Sequence, residues 1–264
     1  MEIDFFDNLD EVILHQVLVN IEVFEAVIYP SYLLEEPYRS LLIAIARGDG
    51  KTLNVFRRAR VSEVTGEELL SELVDLGILQ LEPSRETPLK EHPKQKLKKH
   101  LRSYRIQSKV RFRAPFLRFW FGFVEPYRRD IAEGRTQLFL ENFSRHQDRC
   151  ASLSFEQLSS DLLAHYFAQK DPLASRGSFW DRHSEFDLLS ISSSGKVILG
   201  ECKYKGRKVC KNELNKLKEK ALHSGIPVDI YTLFSKNGFS NELMQSKDEK
   251  LLLFELEDFR RLLG

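Results

Sequence analysis

Cysteine is scarce in this chain. The three present, Cys150, Cys202 and Cys210, fall in no metal-ligand spacing. An odd, small number argues against a disulfide framework and points to a reducing compartment. No uninterrupted apolar run reaches the length of a bilayer span. The start, Met1-Glu2-Ile3-Asp4, is acidic and lacks the basic and apolar regions of a signal peptide. A soluble, cytoplasmic protein with no membrane partner is the expectation. Net charge is also nearly absent, at +1 over 264 residues although 30% of them are charged. Any basic surface for a polyanion must therefore be local. The hydrophobic content of 42% is enough for one large domain or two modest ones.

The residues present divide the chain into three parts: 1–112, 113–150 and 151–264. In the first, apolar periodicity predicts a helix over roughly Phe5 to Val27, a second over Tyr38 to Ala46, a third from Thr52 to Ala59, and a longer one ending at Gly77. Ser62 or Thr65 is the candidate N-cap of the longer helix, and Leu69, Leu70, Leu73 and Leu76 form its apolar stripe. A short strand follows, over 78–81. Helix, helix, longer helix, glycine and strand is the order of a winged helix-turn-helix. A small helical packing module fits the same order. The last helix carries Glu63, Glu67, Glu68, Glu72 and Asp75, which opposes insertion beside phosphates.

Between Lys90 and Arg113 ten basic residues stand against the single acid Glu91. Lys96, Lys98, Lys99, Arg102 and Arg105 are its candidate nucleic-acid contacts, with Tyr104 and Phe112 available for stacking. A short helix over Gln95 to Arg102 and a returning strand over Tyr104 to Phe112 are expected. The same charge run also reads as a solvated linker. The aromatic stretch Phe116-Leu117-Arg118-Phe119-Trp120-Phe121-Gly122-Phe123 reads as a core helix.

The third part opens with a helix in which Phe155, Leu158, Leu162 and Tyr166 share a face close to Glu156. A strand over Ser184 to Ile191, a turn at Ser192-Ser193-Ser194-Gly195, and a second strand over Val197 to Lys203 follow. A helix over Asn212 to Ser224 and two more strands complete an α/β pattern. The strand Val197-Ile198-Leu199-Gly200-Glu201-Cys202-Lys203 ends in a carboxylate and an amine two residues apart, hence on one face. Charges at the end of so apolar a strand are costly unless paired, metal-bound or set in a polar cleft. With Asp187 on the neighbouring strand, Glu201 and Lys203 form a small acidic site containing one amine. A plain ion pair is the bland alternative, as is a solvent-facing Glu156 stabilised only by its helix dipole. Cys202 faces the other way, into the core. His165 and His183 are read as incidental.

Glu156, then Glu185-Phe186-Asp187, then Gly200-Glu201-Cys202-Lys203 resembles the PD-(D/E)XK nuclease superfamily. Gly177-Ser178-Phe179-Trp180 through Asp187, followed by Gly-Glu-Cys-Lys-Tyr, more closely resembles domain of unknown function 234. In that family the domain stands behind a winged helix in archaeal-type ATPases. Arg118-Phe119-Trp120 is similar to its linker, and the resemblance extends from about Tyr38 to Gly225. It implies an α/β chain: a helical winged helix-turn-helix domain, then a restriction-endonuclease-like domain with a mixed central sheet. It also implies Mg²⁺, or Mn²⁺, held by Asp187, Glu201 and the Cys202 carbonyl, with Glu156 completing the site. Lys203 would serve the reacting phosphate and Lys205 a neighbouring one. The chain has no Gly-rich phosphate loop followed by Lys-Ser/Thr, so ATP hydrolysis is not expected. The expected activity is metal-dependent cleavage of nucleic acid, with DNA as partner. The alternative is a non-catalytic adaptor for DNA or for a separately encoded ATPase.

Overall fold

The structure, a computed structural model, describes residues 9–84, 86, 92, 94–99, 104–181, 184–246 and 248–263. Arg102 and His183 lie outside them. The chain forms two compact units, one from 1–81 and 107–147, the other from 82–106 and 148–264.

The first unit is mostly helical. It comprises α1 (Leu9–Val12), a π-helical turn (Ile13–Leu18), α2 (Ile21–Glu25), α3 (Tyr38–Arg47), α4 (Thr52–Ala59) and α5 (Glu63–Asp75). Strands β1 (Leu79–Glu82) and β2 (Lys109–Phe112) pair with each other, and Lys51 makes an antiparallel bridge to Lys109. Then come α6 (Pro115–Phe119), a π-helical turn (Trp120–Val124) and α7 (Arg128–Ala132). Ser62 is the cap of α5, its hydroxyl accepting the Thr65 amide at 3.1 Å. The expected stripe on α5 holds for Leu69, Leu70 and Leu73, but Leu76 is exposed. It follows the last turn of the helix, where Gly77 takes a positive φ of 72°. Trp120, Phe121 and Phe123 are buried, as an aromatic core helix requires. Phe112 is buried too and stacks on Phe121 at 6.1 Å. It is a core residue, and the expectation that it stacks on nucleic acid is withdrawn.

The basic arm differs from its sequence reading. Gln95 to Lys98 form no helix, and the returning strand is only Lys109–Phe112. The segment 82–106 groups with the second unit rather than with the helices before it. Two polar contacts account for this. Ser178 donates to Glu82 at 2.8 Å, and the Ser84 hydroxyl donates to the Trp180 carbonyl at 3.2 Å. Tyr104 donates to Glu86 at 2.5 Å, which engages its phenol within the arm.

The helix α8 (Gln137–Phe167) starts in the first unit and ends in the second. The second unit is built on a five-stranded sheet of order β3-β6-β7-β8-β9: Leu173–Ser175, Leu188–Ser192, Val197–Lys203, Ile230–Ser235 and Leu251–Glu255. β3, β6 and β7 are antiparallel neighbours, whereas β7, β8 and β9 run parallel, so the sheet is mixed. A separate hairpin pairs β4 (Phe179–Trp180) with β5 (Glu185–Phe186). The helices α9 (Lys211–His223) and α10 (Asn241–Met244) complete the unit, with a 3₁₀ segment over Leu256–Leu262.

Alternation along β7 decides what each helix covers. Ile198 and Cys202 pack with Phe155, Leu162, Leu163 and Phe167 of α8. Leu199 packs with Leu214, Leu217 and Ala221 of α9. Each fully buried Leu or Phe here contributes roughly 1.5–3 kcal/mol by leaving water. The face of α8 differs from its sequence reading, because Leu158 and Tyr166 are exposed while Ser159 and Leu163 point inward. The inward row advances by three or four residues from Phe155, and Leu158 falls just beside it.

Candidate functional site at the end of β7

The single strand expected over 184–191 is broken at Asp187. β5 pairs with β4 up to Phe186, and β6 starts at Leu188, opposite Gly200 of β7. Asp187 is the bend between two sheets. Its carboxylate accepts the Cys202 backbone amide at 2.8 Å. A side chain thus satisfies a buried donor near the end of the β6–β7 ladder.

Beyond Leu199 the next residues on the same face of β7 are Glu201 and Lys203, as the period of two requires. Their side chains form an ion pair, Lys203 Nζ to Glu201 Oε1 at 2.6 Å. Both are half-buried. Cys202 points to the α8 side. Burial pushes its thiol well above the ordinary range, and the sulfur sits in the core beneath α8 rather than beside Glu201 and Lys203. Only its backbone carbonyl is left as a donor. Glu156 lies on α8, partly buried, and its charge acts on both Asp187 and Cys202. Elements on both faces of the sheet therefore converge where β7 ends.

The electrostatics record this convergence. Asp187 is raised from 3.8 to about 7, first by burial, then by the charges of Glu201 and Glu156; the Cys202 amide and Lys203 pull the other way. For Lys203, burial acts to lower the pKa. The Glu201 hydrogen bond and charge, with Asp187 and Glu213, outweigh it, and the pKa is raised. The amine is thus held as a cation among carboxylates.

Residues 120–217 match the family model for domain of unknown function 234, a family of archaeal and bacterial proteins of unknown function. No curated protein and no solved structure was found to match. The match to domain of unknown function 234 is narrower than the resemblance read from the sequence, since it leaves out α3, α4 and α5. It does take in Glu156, Asp187, Glu201, Cys202, Lys203 and Lys205.

Among the described residues, no group of three or more His, Cys, Asp or Glu side chains is arranged to hold a metal ion. Two carboxylates and one carbonyl nevertheless suit a hard cation that keeps most of its waters, as Mg²⁺ does. The electrostatic strain on Asp187 is of the sign that a cation relieves.

Lys205 lies in the loop after β7, because the strand stops at Lys203. Lys96, Lys98, Lys99 and Arg105 are exposed on the arm. Sequence reading missed Glu213, in the first turn of α9. It acts on Lys203 and stands 3.8 Å from both Arg207 and Lys216. A carboxylate in a first helical turn is commonplace, and nothing in its spacing tied it to β7.

Proposed function

We propose that the second unit is a divalent-cation-dependent phosphodiesterase of the PD-(D/E)XK kind, acting on nucleic acid. The observation that carries this reading is the meeting of Asp187, Glu201 and Lys203 at one strand end, with Asp187 raised to about 7. Asp187, Glu201 and the Cys202 carbonyl would hold Mg²⁺ or Mn²⁺, and Glu156 would adjust the charge around them. Once bound, the cation supplies polarisation of the phosphodiester and a water of lowered pKa. Lys203 directs its protons at the phosphate oxygens, where charge develops during attack. Glu201 holds that ammonium in place. Asp187, anchored by the Cys202 amide, keeps its carboxylate fixed against the strand end.

In the first unit, the order α3, α4, α5, β1, β2 with the Lys51–Lys109 bridge supports a winged helix-turn-helix. Its α5 carries five carboxylates and no basic residue, so it suits a basic protein surface better than a DNA groove. A separately encoded ATPase is the partner we propose for it.

A non-catalytic adaptor is the second reading. It is favoured by the closed Lys203–Glu201 ion pair and by the absence of a three-side-chain metal group among the described residues. The deciding experiment incubates the purified chain with single- and double-stranded DNA and RNA, with Mg²⁺, with Mn²⁺ and with EDTA. The phosphodiesterase reading expects metal-dependent cleavage that Lys203→Ala abolishes. Equal cleavage by that variant, or none by the wild type on any substrate, refutes it.

A further inference from the structure

The loop after β7 carries more positive charge than the proposed chemistry uses. Lys203, Lys205, Arg207, Lys208 and Lys216 line a cleft of about 230 Å³ together with Glu213. Lys203 is already paired with Glu201 at 2.6 Å, so five cations meet two carboxylates, Glu213 and Glu201, and a local excess of three remains in a chain whose net charge is +1. Glu213 is shared between Arg207 and Lys216, each at 3.8 Å, while Lys205 and Lys208 form no ion pair among the described residues. Like charges gathered in a concave surface repel one another unless an anion joins them.

The loop's backbone is tied down. The Lys203 carbonyl accepts the Lys236 amide at 3.1 Å, and the Gly206 carbonyl accepts the Asn237 side-chain amide at 3.0 Å. Val209 donates to Gly238 and accepts from Ser240, both at 2.9 Å. The loop is therefore pinned at its start, middle and end before any ligand arrives, which lowers the entropy lost on binding. The cleft is smaller than the roughly 300–1,000 Å³ that seats a drug-sized molecule. It suits a compact, highly charged group rather than a nucleoside.

We infer that this cleft binds a phosphate group carrying two negative charges, the terminal phosphomonoester of a nucleic-acid strand. The phosphate assignment stands on the cation cluster. The assignment to a strand end rests on the phosphodiesterase reading, because Lys203 belongs both to the cleft and to the proposed cleavage site. A monoester at a strand end carries more charge than an internal diester and needs no exit on the far side of the cleft. The phosphodiesterase would then act near ends and prefer phosphorylated ones.

The test uses the full chain with Asp187→Asn in EDTA, so that binding is read without cleavage. Fluorescence anisotropy compares oligonucleotides bearing a 5′-phosphate, a 3′-phosphate or hydroxyls at both ends, with inorganic phosphate as competitor. One phosphorylated end is expected to bind roughly tenfold more tightly than the hydroxyl form, the worth of one added charge-assisted contact. Inorganic phosphate should erase that difference. The double variant Arg207→Ala/Lys208→Ala should also lose it while keeping the parent's melting temperature, since both side chains are exposed. Equal affinity for all three oligonucleotides overturns the inference, as does a preference that survives in the double variant. If inorganic phosphate binds and the oligonucleotides do not, the strand end is overturned as ligand. An end preference in a chain that cleaves nothing would sink the phosphodiesterase reading and leave the phosphate site standing.

Discussion

Replacing Asp187 by Asn should stabilise the protein at alkaline pH, although Asp187 is a proposed ligand. Burial and the charges of Glu201 and Glu156 raise this carboxyl from 3.8 to about 7 in the folded chain. The folded state therefore holds its proton more tightly than the unfolded state does. The stability this provides is fully present below about 3.8, declines as pH rises, and is gone above about 7. A shift of about three units at ~1.4 kcal/mol each amounts to on the order of 4 kcal/mol. Asparagine keeps an acceptor for the Cys202 amide and carries no charge to desolvate. The advantage of the variant should thus grow by roughly 2–3 kcal/mol between pH 5 and pH 8, measured by urea denaturation in EDTA. A gap that stays flat with pH, or a wild type more stable than the variant at pH 8, would show that Asp187 is not held protonated by the fold. Adding Mg²⁺ at pH 8 should then favour the wild type, by about 2.7 kcal/mol at a hundredfold excess over Kd, and leave the variant unmoved. That readout does not depend on any catalytic activity.

Gly200→Ala should lower the melting temperature, because its new Cβ would stand 2.8 Å from Thr232 Cγ2 and 3.0 Å from Leu188 Cβ. Overpacking of this kind costs about 1–3 kcal/mol, and an unchanged melting curve would show that the β6–β8 packing is looser than described. Glu72→Gln should bring the Tyr38 phenol down from about 12 toward 10, because the hydrogen bond from Tyr38 to Glu72 is the first cause of its elevation. Ultraviolet titration of phenolate reads this directly, and an unmoved high-pH step would exclude Glu72 as the cause.

The local features of this protein were legible in its residues. The hydrophobic periods located α3, α4, α5 and α9, because each has an apolar stripe at helical spacing and most have a capping or glycine signal at an end. The run Val197 to Lys203, with its turn at Gly195, announced a buried strand of a hairpin and put Glu201 and Lys203 on one face. The period of two makes that a purely local matter. The rest depends on contacts between distant parts of the chain. The break at Asp187 depends on two different sheets claiming its neighbours, and no residue of 184–191 signals it. The exposure of Leu158 and the burial of Phe112 depend on where helix and sheet faces meet. The approach of Glu213 to Lys203 depends on α9 packing over β7 through Leu214 and Leu199. The raised pKa of Asp187 follows from burial and from charges more than ten residues away along the chain, and these act on it only once the chain has folded.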